Sequence, residues 1–192
     1  MKKSSGSFVG ISNFDGTIAT GKGNDNITGS GDFYGILNFD GTIETGKGND
    51  NITGNASDEF GRGIGNNSTI ATGNGKDNIT GSGNRIGIEN SGTIETGNGR
   101  DTVDALTGGF AGNGMINLGK GKDLIRGFGE QTVDGGRGFD TAELGIDFDQ
   151  TLLSLGSSPY IDIEIGEMSF ANVEKFVFSD ERFTLHELQD LV

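Results

Sequence analysis

Isoleucine recurs in this chain at two fixed places, and polar or small residues flank it on both sides. The first isoleucine follows a threonine, as in Thr17-Ile18, and the second lies inside an Asn-Ile-Thr triplet, as in Asn26-Ile27-Thr28. Both stretches alternate polar and apolar residues, which is the pattern of a half-buried β-strand. The chain is therefore predicted to form many short strands, each with one buried side.

The two isoleucines return along the chain in the same order, and a third apolar piece, such as Gly35-Ile36-Leu37, closes each unit. Short strands of this kind bury a face only by stacking on equivalent strands, about 4.8 Å away. The pattern thus predicts two internal ladders of stacked side chains. The first contains Ile18, Ile43, Ile70, Ile94, Ile116 and Val133, and the second contains Ile27, Ile52, Ile79, Val103, Ile125 and Ala142.

A glycine-rich segment separates the two ladders in every unit. It reads TGKGNDNITG from Thr20 and returns unchanged from Thr45, as TGNGKDNITG from Thr72, and in weaker copies from Thr96, Leu118 and Gly135. Recurrence of this kind is the signature of a repeat architecture. Each copy places an Asp two residues after its second glycine: Asp25, Asp50, Asp77, Asp101, Asp123 and Asp140.

The chemistry of these segments suggests a calcium site. Glycine adopts positive φ at little cost, so a Gly-x-Gly pair permits a tight turn whose carbonyl groups point inward. The Asp adds a carboxylate, and Ca²⁺ prefers six to eight oxygen ligands of these kinds. Stacked Asp side chains about 5 Å apart would repel by roughly 3 kcal/mol per neighbouring pair, and a cation between them would reverse that sign.

These segments resemble the RTX (repeats-in-toxin) nonapeptide G-G-x-G-x-D-x-U-x, in which U is a large aliphatic residue. The resemblance covers roughly residues 17–144, and the first glycine of the pattern is kept only at Gly135. It implies an all-β chain forming a right-handed parallel β-roll or β-solenoid of about six coils. It also implies about five Ca²⁺ ions in one row, bound by the six Asp residues and by carbonyl groups of the turns: Gly21, Gly23, Gly46, Gly48, Gly73, Gly75, Gly97, Gly99, Gly119, Gly121, Gly136 and Gly138.

Composition limits the other functions. The net charge is −14 over 192 residues, and the basic residues look scattered, so nucleic-acid binding is not expected. An acidic excess suits a chain that binds several cations. Cysteine is absent, which excludes disulfides and thiolate metal sites. No apolar run is long enough to span a membrane, and the first residues do not read as a cleaved secretory signal.

Three regions are predicted: a flexible N-terminus at 1–8, the repeats at 9–144 and a C-terminal cap at 145–192. In the cap, 160–165 alternates like a strand, and Thr184 with Glu187 predicts the capping box of a short helix. Solenoids need such a cap to cover their last coil. The segment also resembles the C-terminal ends of RTX proteins, which implies a type I secretion signal.

The expected function is calcium-driven folding of an exported, extracellular and non-enzymatic protein, with self-association or a cell-surface or matrix partner left open. An alternative is an ice-binding, surface-binding or adhesin solenoid that uses an outward threonine ladder, formed by Thr17, Thr42, Thr69 and Thr93. An enzyme is not expected. The only histidine, His186, has no evident nucleophile partner, and Glu44 and Glu95 are expected to be outward and solvated.

Overall fold

The repeats wind into a parallel β-solenoid, and the predicted all-β fold class is confirmed. The structure, a computed structural model, describes residues 7–156 and 162–192. Three parallel sheets form three sides of the solenoid, which we name faces A, B and C in the order in which the chain enters them. Face A has five strands, so there are about five complete turns, and the later rungs lack this side.

The strands are short throughout. Face A contains Val9–Asn13, Tyr34–Asn38, Arg62–Asn66, Ile86–Asn90 and Phe110–Ala111. Face B contains Thr17–Lys22, Thr42–Lys47, Thr69–Gly75, Thr93–Glu95, Asn98–Gly99, Met115–Asn117, Lys120–Gly121, Gln131–Asp134, Arg137–Gly138, Leu153–Leu155, Ile163–Ile165 and Met168–Ala171. Face C contains Asn26–Gly31, Asn51–Ala56, Asn78–Ser82, Thr102–Asp104, Leu124–Arg126, Thr141–Glu143, Lys175–Val177 and Arg182–Thr184.

Both predicted apolar ladders are present. Ile18 pairs with Ile43, and the column continues through the face B strands to Val133 and then Phe170. The second column runs along face C from Ile27 to Ala142 and ends at Phe176. Face A supplies a third column: Ile36, Ile64, Ile88 and Phe110. These columns form one continuous core.

Glycine lets faces A and C approach each other closely. A Cβ on Gly54 of face C would overlap the Gly63 carbonyl oxygen and lie 2.6 Å from Ile64 Cγ1. A Cβ on Gly35 would likewise overlap the Asn55 nitrogen. Backbone therefore fills this corner, which explains how a chain that is only 31% hydrophobic closes its interior.

A column of buried asparagines, which the sequence analysis did not predict, lines the corner between faces A and B. The Nδ2 group of Asn13 donates to Asn38 Oδ1 (2.9 Å), Asn38 donates to Asn66 (2.8 Å), and Asn66 donates to Asn90 (2.8 Å). Each amide also donates to a backbone carbonyl, as Asn66 does to Thr93. A side-chain amide carries both hydrogen-bond donors and an acceptor, so stacked asparagines can form hydrogen bonds with one another.

The C-terminal segment continues the solenoid before it turns back. Met168–Ala171 and Lys175–Val177 pair in parallel with the preceding rung. Three strands then add antiparallel: Leu153–Leu155, Ile163–Ile165 and Arg182–Thr184. A 3₁₀ turn spans Gln150–Leu152, and the α-helix Leu185–Gln189 begins at the Thr184–Glu187 capping box that the sequence predicted. Of the predicted strand at 160–165, Tyr160 and Ile161 lie outside the described residues.

Replacing Asn66 by Ala should lower the free energy of unfolding by about 2–4 kcal/mol, because the partner groups of Asn38 and Asn90 would be left buried and unpaired. Urea unfolding measures this change. The neighbouring Asn67 is exposed, so Asn67→Ala is the matched control and should change stability by less than about 0.5 kcal/mol. Equal effects of the two substitutions would contradict a structural role for the column.

Candidate metal centre

The six glycine turns all lie at the corner where face B leads into face C. Eleven of the twelve glycines predicted from the pattern have positive φ: Gly21, Gly23, Gly46, Gly48, Gly73, Gly75, Gly97, Gly99, Gly119, Gly136 and Gly138. Gly121 pairs in register with Gly138 but is not in that region. A Cβ on Gly48 would also overlap the Gly23 carbonyl oxygen of the rung before it. Any larger residue would therefore force the turns apart.

The six predicted Asp residues stand in one column along this corner. The backbone N–H of Asp25 donates to Asp50 Oδ1 on the next rung, and the same bond repeats up to Asp140 at 2.7–2.8 Å. Five of the six side chains are buried: Asp50, Asp77, Asp101, Asp123 and Asp140. The turns therefore do align the predicted carboxylates on one edge.

The second carboxylate oxygen of every Asp in the column is buried without a hydrogen-bond partner: Oδ2 of Asp25, Asp50, Asp77, Asp101, Asp123 and Asp140. Buried polar atoms without a hydrogen-bond partner are rare in folded proteins, and a bound proton or ion would provide the partner that these oxygens lack. Burial raises the pKa of Asp101 to about 7 and that of Asp140 to about 6. Burial also raises the pKa of Asp77 and the pKa of Asp123. The carboxylates are thus poorly solvated as anions.

Threonine occupies the first position of four of the six turns: Thr20, Thr45, Thr72 and Thr96. Thr45 and Thr72 are buried, and each hydroxyl donates to the carbonyl of its equivalent on the next rung, at 3.2 and 3.1 Å. Thr96 donates in the same way to Leu118 at 2.7 Å. Burial is the larger effect and raises the pKa of Asp77 and of Asp101, although hydrogen bonding from the nearby Thr72 and Thr96 hydroxyls lowers the pKa of each carboxyl. In these four turns threonine stands where the RTX pattern has its first glycine.

Glu174 extends the column by one member, which the sequence analysis missed. The backbone N–H of Asp140 donates to Glu174 Oε2 at 2.6 Å, in the place that a seventh Asp would take. The signal was present in the sequence, since Glu174 precedes Lys175-Phe176 as Asp140 precedes Thr141-Ala142. The repeat pattern did not reveal this signal, because the turn before Glu174 has no Gly-x-Gly pair.

The turn carbonyl groups would have to provide most ligands to an ion. Within 7–156 and 162–192, no three acidic or histidine side chains converge on one point. Some turn carbonyls already accept a backbone bond, as Gly97 does from Lys120 and Gly119 does from Arg137, both at 2.7 Å. A carbonyl oxygen has a second lone pair, so these bonds do not exclude coordination.

The outside of the same corner is basic. Seven of the chain's 14 Lys and Arg residues project from the glycine turns, and all seven are exposed: Lys22, Lys47, Lys76, Arg100, Lys120, Lys122 and Arg137. The interpretation that the basic residues are scattered was therefore wrong. The repeat itself concentrates them, because each copy places at least one basic residue at the two outward positions of the turn.

The fold and these columns define the chain as a repeat protein of the parallel β-solenoid class. A scan against protein-family models found no match, and searches of curated proteins and of solved structures returned no match either. The likeness to RTX repeats therefore rests on the turn sequence and the fold. In the described part of the chain, no helix is long and apolar enough to cross a membrane.

The raised pKa values predict how the metal-free fold responds to pH. The pKa of Asp101 rises on folding from an ordinary value of 3.8 to about 7, so the folded chain binds more protons than the unfolded chain between those values. The contribution of the Asp101 and Asp140 carboxyls to the free energy of unfolding is therefore fully present below pH 3.8, and it is lost as pH rises through about 6 to 7. In EDTA, the strand signal in circular dichroism should therefore be stronger at pH 5 than at pH 8.

The double variant Asp101→Asn, Asp140→Asn is the control, because it removes these two titrations and should flatten the profile. Self-repulsion of the acidic chain also grows with pH, and the variant separates that general effect from the column. A wild-type strand signal in EDTA that increases from pH 5 to pH 8 would contradict the assignment.

Proposed function

We propose that this chain is a calcium-binding β-solenoid whose folding is driven by Ca²⁺ bound between successive glycine turns. The observation that carries the proposal is the column of six buried Asp oxygens without partners. Each turn also offers backbone carbonyls at the same corner. Carboxylate and carbonyl oxygens in flexible number suit Ca²⁺, whereas Mg²⁺ demands near-ideal octahedral geometry and gives up its water reluctantly.

Electrostatics explains why such a column would need an ion. The Asp side chains follow one another at the rung spacing, about 4.8 Å. Each one after Asp25 accepts a single backbone N–H bond at Oδ1. Burial disfavours the charged form, so the empty column must either take up protons or lose stability. A divalent ion between two rungs supplies the missing partner to both carboxylates.

The expected energies are large enough to control folding. An ion present at about 100 times its Kd stabilises the folded state by about 2.7 kcal/mol per site. Several such sites together rival the roughly 5–15 kcal/mol that stabilise an ordinary domain. A chain of this design would stay largely unfolded where calcium is scarce and fold where it is at millimolar levels. Export to the extracellular space and a non-catalytic role belong to the same proposal.

The alternative, a surface-binding or ice-binding solenoid, would use the outward threonines of face B. Thr17, Thr42, Thr69 and Thr93 do stand in register. The next outward column, however, alternates alanine with the exposed Glu44 and Glu95. These charges interrupt a flat, uniform face, so we favour calcium binding.

Circular dichroism tests calcium-driven folding directly. The strand signal should be weak in EGTA and should appear on addition of about 5–10 mM CaCl₂, the range that weak extracellular modules require. Isothermal titration calorimetry should find about five ions per chain, one for each gap between the six Asp residues. A spectrum that is equally rich in strand without calcium, together with no heat of binding, would overturn the proposal.

Asp77→Asn should have opposite effects with and without calcium. It removes a buried charge, so the calcium-free protein should become slightly more stable. It also removes a ligand shared by two gaps, so calorimetry should lose about two ions. Asp40 is exposed and lies outside the glycine turns, so Asp40→Asn is the charge-matched control and should leave calcium uptake unchanged. Equal calcium uptake by Asp77→Asn and the wild type would show that the Asp column does not bind the ions.

A further inference from the structure

Three of the seven basic residues of the turns border a groove on the outer surface of face C. The groove has a volume of about 480 Å³ and runs across the later rungs, beside the turns. Lys76, Arg100 and Lys122 form one wall, and Lys175 stands on the last rung. Lys76, Arg100 and Lys122 occupy the same turn position on three successive rungs, so neighbours are separated by about one rung, roughly 4.8 Å. Lys175 lies two rungs beyond Lys122.

These cations have no partners of their own. Among the described residues, the ion pairs use Arg62, Arg126 and His186, and none uses a lysine or Arg100. Three acidic residues also line the groove. Glu143 is held by Arg126 at 2.8 Å, and the side chains of Asp101 and Asp123 are buried in the Asp column. In a chain of net charge −14, acidic groups are abundant, yet no described acidic side chain pairs with the groove cations. The groove therefore offers unneutralised positive charge to a ligand.

We propose that this groove binds a linear anionic polysaccharide through its carboxylate or sulfate groups. A chain that carries charges at regular intervals can meet a wall that carries cations at regular intervals. The groove also presents Thr102 and Thr141, whose hydroxyls can bond to sugar hydroxyls, and Phe139, which is 49% exposed and can pack against a sugar ring.

The groove and its surroundings favour a single extended polysaccharide over nucleic acids and membranes. Single-stranded nucleic acid is held by several aromatic side chains that stack on successive bases, and Phe139 is the one aromatic residue that lines this groove. A duplex or a membrane would cover a wider area. In a chain of net charge −14, a wider footprint would include acidic groups that repel phosphate.

Fluorescence anisotropy with a fluorescein-labelled heparin octasaccharide tests the proposal in buffer with 5 mM CaCl₂ and about 150 mM NaCl, where exposed ion pairs are partly screened. The wild type should bind saturably, and neutral maltooctaose should not compete. The triple variant Lys76→Gln, Arg100→Gln, Lys122→Gln should bind about tenfold more weakly, since each exposed ion pair adds only a modest amount.

A second triple variant, Lys22→Gln, Arg85→Gln, Arg182→Gln, is matched in net charge and alters exposed residues outside the groove. It should retain binding within about twofold. Equal loss in both triples, no binding by the wild type, or equal binding of a labelled dT₁₂ strand would each overturn the proposal. Circular dichroism on every variant confirms that it is folded. If calorimetry shows no calcium uptake but the protein is folded, the calcium proposal fails and the groove test still stands.

Discussion

Stacking in register places each residue directly against its equivalent on the next rung, and this constraint decides which side chains the interior accepts. A buried column of identical side chains is stable only when each side chain can pack against, or form hydrogen bonds with, the rung next to it. Isoleucine does so by packing, as Ile43 does on Ile70. Asparagine does so because its amide both donates and accepts, as from Asn38 to Asn66. Threonine does so by donating to the backbone of the next rung, as Thr72 does to Thr96.

Aspartate is the one buried column that cannot satisfy itself. An ionised carboxylate only accepts hydrogen bonds, so a stacked copy offers it repulsion and no donor. The glycine turn provides a donor for one of the two carboxylate oxygens, because it brings the backbone N–H of each Asp to Oδ1 of the next Asp. The other oxygen, Oδ2, is buried without a hydrogen-bond partner. This oxygen can be neutralised by a proton, as the raised pKa values of Asp101 and Asp140 allow, or by the Ca²⁺ ions proposed above.

The sequence predicted the parts of the structure that follow from periodicity. The two isoleucine ladders, the glycine turns and the alignment of the six Asp residues could all be read from recurring spacings. The Asn13–Asn90 column could not, because an asparagine before a turn is usually read as a turn residue, and only the three-sided winding turns it inward. Lys76 and Arg100 read as isolated charges, and their row appears only when rungs of unequal length are stacked. Glu174 was obscured by the loss of the glycine pattern around it.

The way the Asp column ends follows from the same constraint. Its last backbone N–H, that of Asp140, still requires an acceptor, and the final rung provides Glu174 at 2.6 Å. Glu174 is only half-buried, and, unlike the six Asp residues, it has no buried oxygen without a partner. The longer side chain thus accepts the terminal bond while its charge stays near water. Because this rung has no glycine pair, another Asp turn cannot stack on it, and the antiparallel strands beyond it cover the edge that stacking would otherwise extend.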